Sequence, residues 1–260
     1  MKKKTQILLG ILCVIIVLLI AAYLLIPTKN STNVSNFIMQ RRLLKLLVMV
    51  IVSCAIPIST ISFQTVVQNR FLTPGVLGIE SLFVFIQSGL YYFESLVGVK
   101  VEQSVIIYSV TIAIQIGLLL LLMNASKGMM LTNFKVVLLL TMAFSMLLRN
   151  ASTFLQVLMD PNEFDKLQSS LYPSFQKMNA QPILIFGALV LFGLLMIVFF
   201  KLRHKLDALH LGVDGAKMLG INTERLSNVV IVIVIIMTSL STILVGPLQF
   251  LGFMIANLTY

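Results

Sequence analysis

Residues 201–227 hold the densest set of chemically able side chains in this sequence. Lys201, Arg203, Lys205, Lys217 and Arg225 stand among Asp207, Asp214 and Glu224, with His204 and His210 between them. Long runs without charge flank the island on both sides. Such a set offers recognition rather than catalysis, because a polar island between apolar runs is what membrane spans expose to water for another protein to grip. The histidines are not at metal-ligand spacing with each other or with cysteine, and both read as solvated. Two ionisable groups interrupt apolar stretches elsewhere. Glu80 reads as a neighbour for Arg70, as a favourable charge at a helix N-terminus, or as an ion relay. Arg149 reads as a snorkelling cation or as a contact for an anionic solute in a pathway. Cys13 and Cys54 lie within apolar runs and read as small buried hydrophobes.

Several chemistries have no residues to carry them. No G-x-x-x-x-G-K-[ST] phosphate loop is present, so this chain is not expected to hydrolyse ATP. No H-E-x-x-H motif occurs, and no metal or cofactor is expected on the chain.

The elements that must position these residues follow from composition. The 260 residues are 58% hydrophobic and only 11% charged, against roughly 25% charged in soluble domains. Mean hydropathy is +1.02. This excludes a soluble enzyme and predicts an all-α polytopic membrane protein. Charge-free runs cover Gln6–Ile26, Leu46–Gln68, Gln103–Ser126, Val136–Leu148, Met178–Phe200 and Leu226–Tyr260. A span needs about 20 apolar residues. The expected bundle has seven complete transmembrane helices, near 6–26, 43–62, 76–93, 104–123, 134–159, 182–200 and 228–245. The start of an eighth follows from Leu248. Pro57 falls inside the second helix, where it removes a backbone bond.

The net charge of +10 does not point to nucleic acid, since the Lys and Arg are scattered at span ends rather than gathered on one face. They read as interfacial residues facing lipid headgroups. Lys2–Lys4 are expected to hold the N-terminus in the cytoplasm, with the first helix uncleaved. Residues 201–227 then form a cytoplasmic loop and residues 160–181 the longest outer loop. Arg41, Arg42 and Lys45 fall on the outer side, against the positive-inside rule.

Three segments carry a family resemblance. Phe63-Gln64, with Asn69-Arg70-Phe71-Leu72-Thr73-Pro74-Gly75-Val76-Leu77-Gly78, resembles an inner loop of the iron-siderophore and cobalamin ABC importer permeases. Leu211-Gly212-Val213-Asp214-Gly215-Ala216-Lys217-Met218-Leu219-Gly220 resembles their cytoplasmic loop. Gly246-Pro247-Leu248-Gln249-Phe250-Leu251-Gly252 resembles their Gly-Pro-x-x-Phe-x-Gly element. The three come in family order. Asn69-Arg70-Phe71-Leu72-Thr73-Pro74, Asp160-Pro161-Asn162-Glu163-Phe164 and Ala256-Asn257 are similar to the branch serving catecholate and anguibactin-type ferric siderophores.

The resemblance implies a single permease domain over residues 1–260 in a bacterial plasma membrane. Its partners would be a second permease subunit, ATP-binding cassette ATPase subunits carrying ATP and magnesium, a solute-binding protein and a ferric siderophore. It implies that Leu206, Asp207, Leu209, Leu211, Gly212, Leu219 and Gly220 form the ATPase-coupling loop, as two short helices ended by Gly212 and Gly220. Leu206, Leu209 and Leu211 would supply the packed contact, with charges at its rim. Arg42 and Lys45 stand where the family carries basic residues that meet the binding protein, with Leu44 in place of a proline. Gln64, Arg149, Gly246, Pro247 and Phe250 are the candidates for pathway or gate. The family continues beyond its Gly-Pro element, so the expectation is a chain lacking C-terminal helices. Two other classes stay open: an ion-coupled secondary carrier, and a membrane subunit with no transport role.

Overall fold

The structure is a computed structural model. It describes residues 2–25, 32–98, 105–125, 134–176, 181–210, 212–248 and 250–259. Among these residues every regular element is helical. The chain divides into two compact units, residues 1–47 and 48–260.

The first unit contains α1 (Lys2–Leu25) and the beginning of α2 (Thr32–Val67). The last carbonyls of a helix have no partner within it. Here Arg42 donates from Nη1 to the Tyr23 carbonyl at 3.2 Å, within the last turn of α1. Its guanidinium also lies 5.7 Å from the Tyr23 ring centroid, and the Lys45 ammonium lies 6.0 Å from the same ring. Cations are favoured at a helix C-terminus and over an aromatic face.

The second unit holds the rest of α2, a 3-10 turn (Pro74–Leu77), α3 (Ile79–Val97), α4 (Val105–Ala125), α5 (Phe134–Val157), α6 (Pro161–Leu171), α7 (Pro182–Leu209), α8 (Val213–Met218), α9 (Thr223–Val245) and α10 (Leu251–Thr259). Among the described residues, four helical stretches are long and apolar enough to cross a bilayer: Phe37–Val67, Val136–Val157, Pro182–Leu209 and Thr223–Val245. Gly10–Leu25 and Val105–Leu121 are shorter apolar helices. The chain is therefore an all-helical membrane protein, with four of the seven expected spans meeting both measures.

Burial sorts the helices. α9 is 72% buried and is the central post, while α7 is only 22% buried and turns its apolar side chains outward. In hydrocarbon, association rests on close packing and interhelical hydrogen bonds, since lipid tails are as apolar as leucine. α3 shows both. Gln115 of α4 donates to the Ile79 carbonyl at 2.7 Å, and Gln156 of α5 donates to Ser88 Oγ at 3.0 Å. A Cβ on Gly78 would stand 2.7 Å from Ser145 Oγ, so only glycine lets α5 approach there.

Three boundaries differ from the sequence reading. α2 runs from residue 32 to 67 rather than 43 to 62 and is continuous through Pro57. Ser59 and Thr60 donate to the Ile56 carbonyl at 2.9 and 2.8 Å, keeping their own polar groups satisfied inside the helix. The outer loop contains α6, with Asp160 at the N-cap position, Pro161 in the first turn and Glu163 near the helix start. The expected short helix over Leu206–Gly212 does not stand alone: α7 continues without a break to Leu209.

Candidate functional site

Two polar regions interrupt the apolar second unit. The first is the wet end formed by the tail of α7, α8 and the start of α9. Leu206, Leu209 and Ala216 point inward and join the core of Phe63, Val66, Ile231 and Ile235. Leu209 and Ala216 are fully buried. The expected packed contact through Leu206 and Leu209 is thus turned around. These leucines face the chain's own core because α7 carries its apolar stripe past the first charges. Leu211, the third leucine of that contact, lies outside the described residues.

Hydrogen bonds clamp this end to α2. Gln68 donates from Nε2 to the Thr65 carbonyl at 2.7 Å and to the Leu209 carbonyl at 3.0 Å. Thr65 Oγ1 lies 3.3 Å from His210 Nε2. His210 therefore closes the end of α7 against α2 rather than standing only in solvent. Gly212 adopts φ +98° and leads into α8. At the other end Gly220 takes the left-handed conformation, φ +75°. Its N–H donates to the Lys217 carbonyl at 2.9 Å, and the Ile221 N–H donates to the Ala216 carbonyl at 3.1 Å. That pair of bonds is a Schellman ending. Asn222 then caps α9, its Oδ1 accepting from the Arg225 N–H at 3.0 Å.

What α8 presents outward is partly apolar. Met218 is 89% exposed and Leu219 is 62% exposed, beside exposed Asp214 and Lys217. Asp207 is exposed on the preceding turn of α7. Met218 escaped the sequence reading, which had no means of telling the buried from the open side of a six-residue helix.

The second region is a small polar cleft deeper in the unit, about 20 Å³ in volume, room for about one water. Ser59 and Thr60 of α2, Thr73 and Gly75, Glu80 of α3, and Thr238, Ser241 and Thr242 of α9 line it, along with Gly246 and Gly252. The hydroxyls of Ser59, Thr60, Thr238, Ser241 and Thr242 all donate to carbonyls of their own helices. They can turn only lone pairs toward the cleft. Glu80 is buried in the first turn of α3.

This cleft corrects the expected path of the chain. The segment from Phe63 to Gly78 resembles an inner loop of the family, whereas α9 leads away from the polar island toward Gly246. The structure brings Thr73 and Gly75 to the same cleft as Gly246. Thr238 lies roughly 22 Å along α9 from Thr223, at 1.5 Å per residue. The connection after α2 therefore folds back among the helices, with Pro74 and Leu77 buried. Irregular backbone is tolerated at that depth where protein surrounds it. Gly246 ends α9 at φ +114°, its N–H donating to the Thr242 carbonyl at 2.7 Å. The Ser174 N–H donates to the Val245 carbonyl at 2.8 Å and ties the segment after α6 to the same helix end.

Of the other candidates, Gln64 is buried and donates from Nε2 to the Arg70 carbonyl at 2.7 Å, while its Oε1 has no partner among the described residues. Pro247 is half-buried, and Phe250 and Arg149 are exposed. Arg149, Gln64, Pro247 and Phe250 do not line the cleft; of the five pathway or gate candidates only Gly246 does.

Residues 6–260 match the FecCD transport family. The chain belongs to that family. It is 32% identical over 226 residues to the petrobactin import system permease protein YclO of Bacillus subtilis (strain 168), covering 86% of this chain and 70% of that one. It is 30% identical over 251 residues to the petrobactin import system permease protein FatC of Bacillus anthracis, covering 93% of this chain and 69% of that one. Among solved structures, an inward-facing metal-chelate type ABC transporter superposes with a TM-score of 0.78 at 23% identity, covering 98% of this chain and 80% of that chain. That likeness, at 23% identity, concerns the fold alone.

In this FecCD chain the cleft is closed by glycine. A Cβ on Gly252 of α10 would lie 2.4 Å from Thr60 Oγ1 and 3.2 Å from Ile56 Cγ2. Thr60 is β-branched and bonded to its own helix, so it cannot swing away. Gly252→Ala is expected to destabilise the protein by about 1–3 kcal/mol, read as a lower thermal midpoint in detergent. Adding Thr60→Ala to Gly252→Ala removes the clashing oxygen and should recover part of the loss; a single variant as stable as wild type would contradict this packing.

Proposed function

We propose that this chain is the membrane permease subunit of an ATP-driven importer for ferric siderophores, built from two permease subunits, two ATPase subunits and a solute-binding protein. The observation that carries the reading is the wet end. A short helix packs through its own buried Ala216 into a seat, the core that also holds Leu206 and Leu209 of α7, while Met218 and Leu219 stand open beside charges. An exposed apolar centre with a polar rim is the anatomy of a protein contact. The seat makes the contact stiff, so force applied to α8 passes into α7, α9 and the end of α2. Family membership supports the same assignment, and the two relatives named for petrobactin import support a ferric siderophore as cargo.

In this reading residues 201–227 face the cytoplasm and Lys2–Lys4 hold the N-terminus there. ATP and magnesium bind on the partner ATPase, whose closure moves the coupling end. The cleft of about 20 Å³ is far too small for a chelate. The cargo path then runs between the two permease subunits, with the Gly246 break beside it. Arg149 and Phe250, exposed on this chain, are the candidates to face that path.

On the outer side, Lys45 and Arg42 are proposed to meet acidic residues of the binding protein. Complementary charge steers docking and fixes orientation. Tyr23 supports this assignment by gathering both cations over one ring. Arg41, 4.5 Å from the Phe37 centroid, adds a third cation nearby.

Two outcomes follow. Uptake of the ferric siderophore by cells carrying the complete importer is expected to stop when the ATPase subunit is deleted and to continue when the ion gradient is collapsed; the reverse pattern would assign an ion-coupled carrier. Replacing Lys45 and Arg42 by Glu is expected to weaken binding-protein affinity by at least tenfold at low salt, with a smaller effect at high salt. Unchanged affinity at low salt would remove these residues from the docking surface.

A further inference from the structure

A groove of about 400 Å³ opens between α7 and α9, next to the wet end. Leu202 and Lys205 line it from α7, and Arg225, Leu226 and Val229 line it from α9, with Gly220 at its polar end. Lys205 and Arg225 are exposed. Among the described residues neither side chain makes an ion pair or a hydrogen bond. No carboxylate is part of the wall.

The order of residues along the two helices gives the groove a direction. α7 runs out of its apolar span into the polar island, so Leu202 lies one turn deeper than Lys205. α9 runs the opposite way, from the island into its span, so Leu226 and Val229 lie deeper than Arg225. Both walls thus change from cation to apolar side chain in the same sense, parallel to the helix axes. Both helices are long and apolar enough to cross the bilayer, which puts the change at the level where headgroups meet hydrocarbon.

We propose that this groove seats one anionic phospholipid. Its phosphate would lie between Lys205 and Arg225, and the first methylenes of an acyl chain would lie along Leu202, Leu226 and Val229. Basic pockets between spanning helices at the membrane surface suit anionic headgroups. Lysine and arginine also reach such a phosphate with their stems on apolar neighbours. The polarity gradient favours a lipid over a protein. An ATPase would contact the tip at Met218 and Leu219, whereas this groove runs along the sides of the helices into the bilayer. The seated phosphate joins a cation of α7 to a cation of α9 and so ties the two helices that carry α8. The inference rests on the membrane placement of α7 and α9 and holds whether or not the coupling role does.

The test uses the full chain in nanodiscs of phosphatidylcholine with a minor share of phosphatidylglycerol, with bound lipid counted by native mass spectrometry. Wild type is expected to retain phosphatidylglycerol selectively. The pair Lys205→Gln and Arg225→Gln should lower that retention by about 30-fold, the combined effect of two interfacial cations. The pair Lys205→Arg and Arg225→Lys should keep it, showing that charge and not folding is at issue. The pair Lys201→Gln and Arg203→Gln removes equal charge from exposed positions outside the groove and should leave retention unchanged. Equal loss from both neutral pairs, or loss from neither, overturns the proposal. So does a Lys205→Gln and Arg225→Gln protein that keeps its lipid but no longer holds the ATPase subunit, since the groove would then belong to a protein contact.

Discussion

The arrangement depends on one constraint: a helix of six residues cannot hold its shape in water by itself. Isolated helices below about 12–15 residues are marginal even with favourable sequences. α8 persists because its own Ala216 is fully buried and Leu206 and Leu209 anchor the preceding turns in the same core. Each buried leucine contributes roughly 1.5–3 kcal/mol where water is the alternative. Gly220 then ends the helix with both carbonyl bonds of a Schellman turn. Gln68 and Thr65 add polar ties to α2. The result is a small exposed element with the stiffness of the bundle behind it.

A different physics holds the interior. Between spanning helices the alternative to a buried leucine is lipid, which is equally apolar, so its burial gives little, and the helices instead come close through small residues. Gly252 against Thr60 and Gly78 against Ser145 are such places. Serine and threonine hydroxyls donate to their own helices, which lets α2 and α9 line a polar cleft without unpaired donors. The backbone breaks at Pro74–Leu77 and at Gly246 meet at that cleft. Breaks held inside protein are where spanning helices can change angle, which an alternating importer requires. The seat at the wet end and the breaks in the interior are joined by α2 and α9, which run through both.

Much of this was legible in the residues. The deficit of charge and the long neutral runs give an all-helical membrane protein. Three short segments, around Gly78, Gly220 and Gly246, give the family. Gly220 ends its helix as its type and position foretell. The remainder was hidden for identifiable reasons. Leu206 and Leu209 sit among charges, and local composition made them look exposed, although a helix does not end where its charges begin. α6 had a start signal in Asp160, Pro161 and Glu163, but a count of apolar residues passes over a short surface helix. The return of Thr73 and Gly75 to Gly246 depends on contacts between distant segments, which no local pattern carries. The bond from Arg42 to the Tyr23 carbonyl is of the same kind: Arg42, inside α2, serves the end of α1, a role its position next to Arg41 does not reveal.

The seat and the exposed tip make one claim, that α8 is the handle by which an ATPase moves this permease. A photoreactive residue in place of Met218, in the assembled importer, tests it most directly. The account predicts a covalent adduct with the ATPase subunit, and its loss when Ala216→Phe lifts α8 from its seat in an importer that still assembles its two permease subunits. Adducts only with lipid or with the binding protein would contradict it.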